Sequence, residues 1–210
     1  MKKNLNKSVI VFTLVSIIIC SGIVYYSMKE QKKPENPPSD DTELIIYDHA
    51  TNYVHALSQN KNVSDEVLDS KIEIAFSDTS LHFGKLIHYV PTPSHYSIHL
   101  CFYIQFEADP QTHAPTKIIN VDHAEVEFDD AQSLKTYHGN LYYNHETSNL
   151  LYWDLNGSIY NGGSAAYKIE PRNSDSANIQ YVLDGLYEED TYIHDSGRLR
   201  LDNSLIISKS

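Results

Sequence analysis

Cysteine is nearly absent: among 210 residues only Cys20 and Cys101 occur. Cys20 sits in an apolar run, so the part of the chain beyond it holds one thiol and forms no internal disulfide. A domain of the remaining length does not need one, because its hydrophobic core is large enough. Positive charge is also scarce: 16 Lys and Arg stand against 28 Asp and Glu. The imbalance is uneven. Residues 1–33 carry a net +5, and the rest a net −17. An anionic domain lacks the basic face that displaces counterions from a phosphate backbone, which excludes nucleic acid as a partner. It equally disfavours lying flat on anionic lipid. Cations, basic peptides and simple solubility remain compatible with it.

Catalytic and metal motifs are missing too. There is no GxSxG elbow, and Ser164 after Gly162-Gly163 lacks the strand–turn–helix context of a nucleophile. Cys101 lies between apolar Leu100 and Phe102, as a structural thiol does. The 11 histidines include no HxH pair and no helical HxxxH. His95 and His99 fall on one strand face, about 13 Å apart at ~3.3 Å per residue, too far to chelate alone. Asp154-Leu155-Asn156-Gly157-Ser158 fails as a calcium loop, because Ala165 stands where the bidentate Glu belongs. The acids Glu125, Glu127, Asp129 and Asp130, and Glu188, Glu189 and Asp190, read as solvated turn residues. A carboxylate-dependent hydrolase would need two of them in one cleft. No catalytic residue, metal or cofactor is expected.

What is present begins with the N-terminus. After a basic stretch, residues 1–8, the run from Val9 to Met28 carries no charge. At ~1.5 Å per residue it spans about 30 Å, one bilayer core. Tyr25 and Tyr26 then precede Lys29, where an interfacial aromatic belt falls. The reading is a signal-anchor helix with residues 1–8 cytoplasmic. Two alternatives are cleavage after Gly22, which would release a secreted protein, and lipidation at Cys20. Residues 29–41, with three prolines, read as an extended linker. Residues 42–210 form the extracytoplasmic domain.

That domain opens on a helical pattern: Ile46, Ala50, Tyr53, Val54 and Leu57, capped by Asp40 or Asp41, with a possible further turn at Ser64–Leu68. Beyond Lys71 the period changes to two. Strands are predicted at Ile72–Phe76, Ser97–Glu107, Ile118–Phe128, Ala165–Ile169, Ile179–Leu183 and Leu199–Ile207. Asn156-Gly157, between two β-prone runs, predicts a hairpin turn. His138–Tyr142 and Asn156–Tyr160 echo each other as two successive hairpin arms. The expectation is a mainly β domain with one short amphipathic helix and an antiparallel β-sandwich, immunoglobulin-like by texture. The helix, followed by Val67-Leu68 and a strand, also resembles the opening of nuclear-transport-factor-like α+β domains. That resemblance implies a curved sheet, and a role as an assembly subunit of a bacterial envelope or secretion machine.

The aromatics are the most distinctive content: 16 tyrosines against six phenylalanines. Tyr137, Tyr142, Tyr143, Tyr152, Trp153 and Tyr160 crowd one region. On a strand Tyr152 and Trp153 point to opposite faces. Trp153 is assigned to the core and Tyr152 outward, joined by Tyr142 or Tyr160 across a strand pair. The expected function is a non-enzymatic binding or accessory domain on the cell surface. Tyr142, Tyr152 and Tyr160 would contact a glycan or a protein partner.

Overall fold

The computed structural model describes residues 41–58, 81–93, 97–112, 114–128, 134–173, 175–202 and 205–209. The chain separates into two units, Met1–Pro37 and Pro38–Ser210, and every described residue belongs to the second. The expected anchor at 9–28, the turn at 64–68, the strand at 72–76, His95, Asp129 and Asp130 lie outside the described residues. Among the described residues no helix is long and apolar enough to cross a membrane.

Among the described residues the domain is mainly β, built from two five-stranded sheets and one short helix. The elements run β1 (Thr42–Tyr47), α1 (Ala50–Ser58), β2 (Leu81–Pro91), β3 (Ser97–Ala108), β4 (Pro115–Phe128), β5 (Lys135–Thr147), β6 (Leu150–Asn161), β7 (Ala165–Asn173), β8 (Ser176–Leu183), β9 (Glu188–Arg200) and β10 (Ile206–Lys209). The first sheet has the order β10-β1-β2-β3-β4, and the second β7-β8-β5-β6-β9. All pairs are antiparallel except β1 with β10. The first four strands fill one sheet before the chain enters the other. In an immunoglobulin sandwich the second and third strands belong to different sheets.

Period-two alternation drives the packing. On β3, Ile98, Leu100, Phe102, Ile104 and Phe106 are buried toward the second sheet. They meet Tyr137, Leu141, Leu151, Trp153, Leu155 and Ile159 from β5 and β6 in one core. Phe102 and Tyr143 join the layers with ring centroids 6.0 Å apart. A second cluster lies on the other face of the first sheet, where Tyr53 and Leu57 of α1 cover Phe83 and Tyr103.

Edge strand β4 is tied to the second sheet. The Val126 amide donates to the Tyr181 hydroxyl at 3.0 Å, and the Ile118 amide to the Ser148 carbonyl at 2.6 Å. Both occupy backbone donors that would otherwise offer a pairing edge.

Three expectations are corrected. Asn156-Gly157 is not a turn but the middle of β6, and the β5–β6 connection is Ser148-Asn149. The glycine serves a different purpose. Gly157 faces Gly139 across the ladder, and a Cβ on either would meet the Tyr137 phenol oxygen at 2.8 Å. Gly139 also has φ of 153°, a conformation side chains disfavour. The two echoing segments are the opposed arms of this one hairpin. Second, the N-terminal helix begins at Ala50 rather than after Asp41, because Thr42–Tyr47 pairs with both β2 and β10. Third, Leu199–Ile207 is not one strand: β9 ends at Arg200, and β10 starts at Ile206 in the other sheet.

Candidate functional site

The outward face of the second sheet collects the residues singled out above. Odd-numbered residues of β5 and β6 enter the core, so the even-numbered ones look out. Tyr142 and Tyr152 meet there with ring centroids 6.1 Å apart and planes tilted by 58°. Tyr160 does not join them. It lies eight residues along β6 from Tyr152, about 26 Å at ~3.3 Å per residue. Its ring stands edge-on to His138 instead, at 6.2 Å. Trp153 is turned inward, 2 % exposed. Its ring lies 5.1 Å from that of His88 and tight against Gly197, where a Cβ would come within 3.0 Å.

The two outward tyrosines are framed by arginines from the edge strands β7 and β9. The Arg172 guanidinium lies 5.2 Å from the Tyr142 ring centre, and that of Arg198 5.5 Å from Tyr152. Arg198 donates two hydrogen bonds to Glu146, at 2.7 and 3.1 Å, and this pairing makes the guanidinium hold its proton more firmly than usual.

Beside the tyrosines runs a row of side-chain amides that composition had not singled out. In register across the sheet stand Lys168, Gln180, Asn140, Asn156 and His194. The adjacent row holds Glu170, Asn178, Tyr142, Asp154 and Ser196. Asn178 donates to the Asn140 amide oxygen at 3.3 Å, and the Tyr192 hydroxyl donates to Asn156 at 2.8 Å. Asp154 lies 3.6 Å from His194 and 3.5 Å from the Tyr152 hydroxyl. Each amide carries a donor and an acceptor, and Asn140, Asn156 and Gln180 are exposed. The signal was in the sequence as Asn and Gln at even positions of neighbouring strands. Only the register shows that they form one row.

A second polar group lies on the outer face of the first sheet. Lys85 donates to both carboxylate oxygens of Glu127, at 2.7 and 2.9 Å. Burial and a hydrogen bond with Glu125 push the Glu127 carboxyl up, against the pull of Lys85. Burial works against the Lys85 ammonium, but negative charge at Cys101, when ionised, and at Glu127 holds its proton more firmly than usual. The Cys101 thiol is fully buried, and burial, then Glu127, push it well up, so it is no ready nucleophile. The other acids pair locally. Asp190 lies 3.2 Å from Lys135, and Glu189 accepts from Ser158 at 2.8 Å. Among the described residues no group of three or more His, Cys, Asp or Glu is placed to hold a metal ion.

Compared with protein-family models, with curated proteins and with solved structures, the chain matches none.

Proposed function

We propose that this sandwich is a non-enzymatic binding domain, tethered outside the cytoplasm by residues 9–28, that takes a glycan on the outward face of its second sheet. One observation carries the reading: the in-register amide row of Gln180, Asn140 and Asn156 beside the Tyr142–Tyr152 pair. Sugar hydroxyls donate and accept at once, which suits side-chain amides, and the C–H faces of a pyranose suit phenol rings. The strand spacing of about 4.8 Å gives the amides a regular repeat along which an extended chain can be read. Arg172 and Arg198 lie over the rings and are exposed. Displacing such a stack costs about 0.5–1 kcal/mol, a deficit that a few hydroxyl–amide hydrogen bonds can offset.

The test is a panel of oligosaccharides screened against the full-length chain, with Asn156→Ala and Tyr142→Ala as paired variants. Saturable binding to at least one glycan, weakened in both variants while their circular dichroism is unchanged, supports the reading. Absence of binding across the panel, or binding that neither variant alters, removes it.

A further inference from the structure

Strand β7 is an outer strand of the second sheet: among the described residues it pairs with β8 on one side and with no strand on the other. Two hydrogen bonds fix which of its backbone groups are open. The Asp184 amide donates to the Ser164 carbonyl at 3.1 Å, and the His145 amide to the Asp175 carbonyl at 2.8 Å. In an antiparallel ladder such bonds recur at every second residue. Odd residues of β8 therefore turn their backbone groups toward β5 and even ones toward β7. It follows that β7 spends the N–H and C=O groups of its even residues on β8, while those of Ala165, Tyr167 and Ile169 point away from the sheet. The nitrogen of Pro171 points the same way, where a missing N–H costs the sheet nothing.

Open N–H and C=O groups are a template for another strand, and charge selects which strand. Lys168 and Glu170 are exposed on the outward face, their charged groups 2.7 Å apart. A second copy running antiparallel, with Ile169 opposite Ile169, sets Lys168 against the partner's Glu170 and Glu170 against the partner's Lys168. A two-fold centre at Lys168 or at Glu170 would oppose like charges, which destabilises a strand pair. A centre at Tyr167 would leave neither charge facing its opposite. The inner face favours the same register, because Ile169 then meets Ile169, and Tyr167 meets Pro171. In the single chain Ile169 is 40 % exposed, and with Pro171 it borders a crevice of about 160 Å³ shared with Ile119 and Val121 of β4.

We infer that two copies of this chain pair through β7, antiparallel and centred on Ile169, so that their second sheets become one continuous sheet. Each Ile169 exchanges both backbone bonds with its counterpart, and each Tyr167 amide donates to the partner's Pro171 carbonyl. The same patch serves both copies, so the assembly closes at a dimer. The two-fold axis stands perpendicular to the sheet, which puts both outward faces on the same side and presents the amide rows in duplicate. Pairing along one short edge buries little area, so the dimer is a weak one. It rests on β7 alone and stands whether or not the outward face binds a glycan.

The experiment uses the full-length chain in detergent micelles. Chains carrying Lys168→Cys, mixed with chains carrying Glu170→Cys and oxidised, should join through a disulfide between these two positions. Residues directly opposite on paired strands stand about 4.5–5.5 Å apart, within disulfide reach. Chains carrying Lys168→Cys alone should cross-link several-fold less, because their thiols are then diagonal neighbours. In sedimentation velocity over a concentration series, Lys168→Glu should weaken self-association roughly five- to thirtyfold. Combining Lys168→Glu with Glu170→Lys in one chain should restore it, with circular dichroism unchanged throughout. A chain that stays monomeric at every concentration leaves β7 open for a different strand and overturns the proposal. So does association that Lys168→Glu does not weaken or the double exchange does not restore, or cross-linking with no preference for the mixed pair.

Discussion

Tyr152 and Trp153 are neighbours in sequence and opposites in environment. Trp153 fills the space between Gly197 and the His88 ring, whereas Tyr152 meets Tyr142, Arg198 and Asp154 on the outward face. Truncating a buried indole removes its transfer energy and leaves a cavity, so Trp153→Ala should destabilise by about 3–5 kcal/mol. Tyr152→Ala should shift stability by less than about 1 kcal/mol, the worth of one exposed cation–π contact. Paired denaturant curves measure this, and the assignment of faces fails if the two variants exchange rank. Which of the two looks inward was legible from alternation and from the size of the indole. The role of Gly157 was not. A dipeptide that usually turns a chain is here a clearance for the Tyr137 ring, and that ring lies twenty residues upstream. No local pattern shows such a need.

Helix α1 and strand β1 show where local periodicity stops deciding at the scale of the element. Tyr53 and Leu57 were read correctly as the buried face of a helix. Ile46 fits the same helical spacing, yet it belongs to β1, because pairing with β2 on one side and β10 on the other outweighs a weak local preference. The β10 partner comes from the far end of the chain and could not be foreseen. The helix is fastened to the first sheet by one polar contact as well as by packing. The Tyr53 hydroxyl donates to Asp122 at 2.7 Å, on the residue that bulges out of β4 between Val121 and His123. Gln105 and Asn120 donate to the same carboxylate at 2.6 to 3.1 Å. Tyr53→Phe keeps the ring and removes one donor from a charged acceptor, so a loss of about 1–3 kcal/mol is expected. Urea unfolding with an unchanged slope would show the loss to be one of stability alone. A neutral result would mean that water or the two amides satisfy Asp122 without the phenol.

For the molecule as a whole, the alternating runs foretold a two-sheet domain, and the crowding of tyrosines suggested an outward Tyr152 joined by Tyr142 or Tyr160, of which only Tyr142 stands beside it. They could not foretell which strands are neighbours, and so neither the amide row nor the crevice beside β4, both of which are products of register. The same tyrosines that build the core set its response to alkali. Burial pushes the phenols of Tyr143 and Tyr167 up to about 12, and it raises those of Tyr53, Tyr103, Tyr137 and Tyr181 as well. In the unfolded chain each would ionise near pH ~10. Between those limits the folded state keeps protons that the unfolded state has released, so stability falls as pH rises. The contribution is complete below about pH 10 and is lost progressively as pH passes through 12. Ultraviolet difference titration should therefore resolve two classes of phenol, exposed ones ionising reversibly first and buried ones later. The later class should coincide with loss of near-ultraviolet circular dichroism, since ionising a phenol inside the core breaks its packing. A single titration step near pH ~10 with the dichroism intact would mean that these rings are open to water, and the two-sheet core centred on Tyr137 and Tyr181 would have to be redrawn.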